Sequence, residues 1–96
     1  TLTLAKAMDE ALRRKLCGLY HLVNGDTITK YELCRLFNRY FRADALTVNP
    51  VEGVVQDKSL VCTRRDFGFV VPAYEQMIRE MKEWVDAHQE LYPHYR

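Results

Sequence analysis

Apolar residues recur at three- and four-residue steps in three separate stretches of the chain. Between them lie short β-favouring runs and irregular polar segments. In the first stretch Leu4, Met8, Ala11, Leu12 and Leu16 form one stripe, which predicts a helix over Thr3–Leu16. Asp9–Arg13 and Glu10–Arg14 are acid-before-base pairs at four-residue spacing, suited to its exposed face. Arg13, Arg14 and Lys15 fall in the last turn, where cations complement the helix dipole, and Gly18 is placed to stop the helix. Leu19–Val23 follows as a short apolar run bounded by Gly18 and Asn24-Gly25, the pattern of a buried strand ending in a turn.

Thr29 stands three residues before Glu32, the spacing of a capping box. Leu33, Leu36, Phe37, Tyr40 and Phe41 then share one face of a second helix. Arg42-Ala43-Asp44 breaks it. Leu46–Asn49 is a second β-favouring run, closed by Pro50, which has no ladder donor. Strand, helix and strand in this order predict a right-handed parallel crossover. Val51–Arg65 has weak periodicity and reads as a long irregular loop with room for one helical turn. Loops of this length in small domains are often functional. Pro72 suits the first turn of a third helix. From Tyr74 onward Met77, Ile78, Met81, Trp84, Val85, His88 and Leu91 mark its apolar face, with Pro93 as its end and Tyr92 and His94-Tyr95-Arg96 as a tail. The expected fold is α/β: three helices with two short parallel strands joined by a helical crossover, α+β-like in isolation.

Composition narrows the class. Ninety-six residues make one small domain, near the marginal end of core burial. The chain is 48% hydrophobic and 28% charged, with a formal net charge of +1, so no basic field calls for nucleic acid or an acidic membrane. No apolar run approaches the length of about 18 residues needed to span a bilayer. Cys17, Cys34 and Cys62 are odd in number and unpaired in spacing, which points to free thiols in a reducing, cytoplasmic setting. The chain opens at Thr1 without a Met and becomes periodic almost at once, as expected of a piece cut from a longer polypeptide.

Side chains that commonly carry chemistry are scattered. His21, His88 and His94 have no companion at metal-ligand spacing, and His21 reads as a structural, hydrogen-bonded histidine. Gly18, Gly25, Gly53 and Gly68 are too far apart for a phosphate-cradling loop. Neither a serine nucleophile elbow nor a Tyr with Lys four residues on is present. The chain by itself is expected to be catalytically silent.

Gly18-Leu19-Tyr20-His21-Leu22, followed by Thr29-Lys30-Tyr31-Glu32-Leu33, resembles the C-terminal substrate-binding part of the dTDP-4-dehydrorhamnose reductase group. That group belongs to the extended short-chain dehydrogenase/reductase family. Lys58-Ser59-Leu60 stands where those proteins carry a Ser-containing loop element, and Val71-Pro72-Ala73-Tyr74 where a Pro-initiated terminal helix begins. The order of these motifs covers nearly the whole chain. The family often has Arg-Pro before the Ser-containing element, where this chain has Gln56-Asp57-Lys58.

The resemblance implies a parent enzyme that uses NADPH or NADH to reduce a 4-keto nucleotide sugar. The cofactor would be bound outside this segment, by a Rossmann domain upstream. Residues 1–96 would form a single C-terminal lobe that holds a nucleotide-diphosphate sugar. Lys58, Arg64 and Arg65 are then the candidate partners of the diphosphate, and Ser59 a hydrogen-bond donor. The alternative is a non-catalytic regulatory or binding module on the same fold. A third reading is a free-standing interaction domain that binds no nucleotide. In the isolated piece, apolar patches or self-association are expected, because so few elements bury little surface.

Overall fold

A computed structural model describes residues 1–53 and 55–94. Tyr95 and Arg96, placed in the tail by the sequence, lie outside the described residues. The chain forms three α-helices: α1 (Leu2–Arg13), α2 (Lys30–Arg42) and α3 (Tyr74–Ala87), followed by a one-turn 3₁₀ helix, Gln89–Leu91. α3 is the central element. Both α1 and α2 pack against it, and they do not pack on each other.

The expected α/β architecture is not present. Among the described residues there is no strand, and the fold is all-α with long extended connections. Leu19–Val23 and Leu46–Asn49, read as two parallel strands, are irregular, and no backbone–backbone hydrogen bond joins them. Leu46 has another partner. The Asn38 amide donates to its carbonyl at 2.7 Å and accepts from its N–H at 3.0 Å, so a side chain of α2 occupies both ladder groups of that residue. Leu19–Val23 is fastened instead by the Arg64 side chain on the Leu19 carbonyl and by its own His21 imidazole on the Val61 carbonyl. A two-stranded pair is marginal in water, and these local bonds prevail over it.

Helix ends also differ from the sequence reading. α1 stops at Arg13 rather than running on to Leu16. The Leu16 N–H donates to the Ala11 carbonyl and the Lys15 N–H to the Leu12 carbonyl, with Lys15 left-handed at φ 53°. This is a Schellman closure with Lys where Gly is usual. α3 begins at Tyr74 with Ala73 as its N-cap, leaving Pro72 just outside. It ends at Ala87 rather than at Pro93. The His88 imidazole donates to the Trp84 carbonyl at 2.8 Å and the Gln89 amide to the Val85 carbonyl at 3.0 Å, supplying partners for exposed helix-end groups. No helical turn forms among the described residues of Val51–Arg65.

α2 starts where its sequence says it should. The Glu32 N–H donates to the Thr29 hydroxyl at 3.1 Å, and the Thr29 N–H donates to the Glu32 carboxylate at 3.0 Å. Burial is sparse everywhere. Among the described residues Ala7, Phe67 and Ile78 are the buried apolar ones, joined by Thr3 and Asn38, while Leu12, Leu19 and Val55 are largely exposed. The molecule is a slab of 43 × 41 × 18 Å with a radius of gyration of 15.9 Å. A compact domain of this length has a radius near about 13 Å.

The capping box makes α2 sensitive to acid. Hydrogen bonds from Thr29 hold the Glu32 carboxyl below its ordinary value. A carboxyl depressed in the folded state stabilises fully above its unfolded pKa of about 4.3. That contribution is lost as pH falls through the lower folded value. Wild type is therefore expected to melt above Glu32→Gln near neutrality and to converge with it in acid, measured by helical circular dichroism. Thr29→Ala should cost about 1 kcal/mol in urea unfolding. Identical melting of wild type and Glu32→Gln at neutral pH would count against the box.

Candidate functional site

The long loop meets the rest of the chain at Arg64, whose planar guanidinium makes four hydrogen bonds. Nε and Nη2 donate to the two carboxylate oxygens of Asp66 at 3.0 and 2.5 Å. Nη1 donates to the carbonyls of Cys17 at 2.7 Å and Leu19 at 3.1 Å. The same group lies 5.6 Å from the centre of the Tyr20 ring. The fork shape allows this: a carboxylate on one edge, two carbonyls on the other and an aromatic face beside it. Gly18, at φ +85°, completes the fit, since a Cβ there would stand 3.3 Å from Nη1.

Around this clamp the charges tune one another. Asp66 raises the Arg64 pKa, and the bonds from Arg64 lower that of Asp66. The Tyr20 hydroxyl is pushed up, chiefly by its hydrogen bond with Cys62. The Cys62 thiol donates to the Arg64 carbonyl at 3.5 Å, and the Tyr20 ring meets Phe67 edge-on at 5.4 Å. His21 joins the same seam. Its Nδ1 donates to the Val61 carbonyl at 3.3 Å, a structural hydrogen bond.

The clamp holds Ser59–Cys62 opposite the turn at Val23–Thr27, and a groove of about 420 Å³ lies between them. Ser59 lines it. Lys58, Arg64 and Arg65 do not: Arg64 is engaged in the clamp, with one N–H left over, and Lys58 and Arg65 are exposed. The four residues singled out by sequence therefore share one loop but not one cavity. The Ser59 N–H also donates to Asp57 at 2.9 Å, and bonds from Ser59 lower the Asp57 pKa.

A larger groove, about 610 Å³, opens between α2 and the start of α3, lined in part by Glu32, Arg35, Arg39, Asp44 and Glu75. Its charges are mostly spent on neighbours. Arg39 pairs with Glu75 at 3.3 Å, Tyr40 donates to the same carboxylate at 2.8 Å, and Arg35 lies over the Tyr31 ring. That bond pushes the Tyr40 pKa up. None of the four residues named from the sequence lies there.

Among the described residues no group of three His, Cys, Asp or Glu side chains is placed to hold a metal ion, and the three cysteines are free thiols. Also among them, no helix is long and apolar enough to cross a membrane. Sequence reading missed Tyr20, Cys62, Asp66 and Phe67 as parts of the clamp. One signal was available: Arg64 and Asp66 are two apart in extended chain, where alternate residues share a side. No protein-family model, curated protein or solved structure matches the chain.

Arg64→Ala and Arg64→Lys are both expected to lower the thermal midpoint by similar amounts. A lysine ammonium, a point charge on a flexible stem, does not reproduce the fork that serves Asp66 and two carbonyls together. Arg64→Lys melting like wild type would show that charge alone, and not the clamp geometry, matters.

Proposed function

We propose that this chain is the substrate-binding lobe of a cytoplasmic NAD(P)H-dependent sugar-nucleotide reductase, of the kind that reduces the 4-keto group of a dTDP-linked hexose. The dinucleotide would be bound by a Rossmann domain outside these residues, and the hydride-transfer chemistry would be carried there. In this lobe Lys58 and Arg65 pair with the diphosphate, Ser59 donates a hydrogen bond, and the remaining Arg64 N–H adds to the same cluster.

The observation that carries the reading is the mismatch between apolar surface and core. Leu4, Met8 and Leu12 repeat every four residues along α1 and are all exposed, and Leu19, Leu60, Val61 and Val70 are exposed too. α1 packs on α3 with the small residues Thr3 and Ala7 buried, and much of its apolar face is left uncovered. Exposed apolar surface on this scale usually marks an interaction face. A second body of protein laid over it suits a lobe that closes on a catalytic domain. The motif order from Gly18 to Tyr74 supports the same reading.

Purified chain titrated with dTDP tests it through amide chemical shifts, which are expected to move at Lys58, Ser59 and Arg65. The same preparation should bind an exposed-hydrophobe dye and self-associate in sedimentation. A monomer that takes up no dye and shows no shift with dTDP would overturn the proposal.

A further inference from the structure

We propose that the extended run of residues 60–63 is an open β-edge that takes up one further strand, an extended peptide of a partner protein with a carboxylate at each end. This edge is independent of the lobe reading, since it depends on main-chain groups and not on a cavity.

The β-favouring runs of the chain differ in the fate of their backbone groups. The Asn38 amide takes both the N–H and the carbonyl of Leu46, and Pro50 behind that run has no donor. Cys17 and Leu19 have given their carbonyls to Arg64. Residues 60–63 stand otherwise. Among the described residues the Val61 carbonyl, bonded to His21, is the only main-chain group of this run with a partner, and every N–H of it is open. Neither proline nor glycine interrupts the run, and Val61 and Thr63 are β-branched.

The path of the run is already set. Exposure alternates along it: Cys62 and Arg64 are half-buried, bonded to Tyr20 and to the Cys17 and Leu19 carbonyls, whereas Val61, Thr63 and Arg65 are exposed. Side chains therefore meet the body, and the hydrogen-bonding edges lie to the sides. Because Arg64, Tyr20 and His21 fix this path without a ladder, a docking strand does not have to order the loop first. Leu60 and Val61, both exposed, offer its side chains apolar contact. Charge chooses the partner. Lys58 and Arg65 are exposed at the two ends of the run, and neither has an ion-pair partner among the described residues. The nearby carboxylates of Asp57 and Asp66 are held by Ser59 and Arg64. Carboxylates on an incoming strand add cross-strand pairs with the two free cations. A second copy fits worse, because antiparallel pairing of two such runs brings cationic end toward cationic end.

The probe is a blocked peptide of alternating valine and threonine with an aspartate at each end, long enough to run from Lys58 to Arg65. Added to the full chain, it is expected to slow hydrogen exchange at alternate amides of residues 60–63 about tenfold at saturation, the worth of one main-chain bond. The same peptide N-methylated at every internal amide keeps its charges but loses its donors, and should not bind. Lys58→Glu together with Arg65→Glu touches no bond of the clamp. The pair should weaken binding about fivefold, the worth of two exposed cross-strand ion pairs, and favour a lysine-ended peptide instead. Unslowed exchange, binding of the N-methylated peptide, or equal binding of aspartate- and lysine-ended peptides would each overturn the proposal. Slowing of the same amides as the peptide-free chain is concentrated would give the edge to a second copy and overturn it too. Shifts with dTDP decide the lobe reading alone, and exchange at residues 60–63 decides the edge alone.

Discussion

Arg64 does in this molecule what a β-ladder does in others. It reaches back more than forty residues to the Cys17 and Leu19 carbonyls and holds an extended segment that no neighbouring strand supports. Asn38 acts likewise on Leu46, as Asn24 does on Pro72 and Tyr74 on Asp26. Long connections between helices would otherwise be left to water, with most of their backbone entropy intact. Side-chain-to-backbone bonds of this kind are directional. They fix where a loop goes without requiring that anything be packed beneath it. The fold can therefore be ordered and thin at once.

Thinness has an energetic meaning. With Ala7, Phe67 and Ile78 as the buried apolar residues, the helices gain little from mutual burial, and each exposed leucine forgoes stabilisation of about 1.5–3 kcal/mol that full burial would give. α3 can cover only part of two neighbours. α1 offers it small residues, Thr3 and Ala7, and turns Leu4, Met8 and Leu12 elsewhere. The amphipathic pattern of α1 is thus broader than the surface α3 offers it, and part of its apolar face stays exposed.

What the sequence disclosed and what it hid follow from the range of each interaction. The capping box was legible because Thr29 and Glu32 meet within one turn and need nothing else. The face of α3 was legible from its period, although the helix ends earlier than Pro93 because His88 and Gln89 turn back on its last carbonyls. The β-favouring runs misled, since propensity describes a strand only when a partner strand is available. Their real partners, Asn38 for one and Arg64 with the Val61 carbonyl for the other, stand eight to more than forty residues away. At the candidate site the loop was marked by its length and its charges. The division of labour inside it was not, because Arg64 looks like Lys58 and Arg65 until Asp66 and the two carbonyls are seen around it.

That division bears on what the loop leaves exposed. A loop whose cations all turned inward would gather phosphate indiscriminately and fill the groove with it. Here the most constrained cation is neutralised by Asp66 and spent on architecture, and the groove it props open carries the single negative charge of Asp26. Lys58 and Arg65 remain exposed outside that groove. The loop thus leaves two cations to solvent and spends the third on its own path.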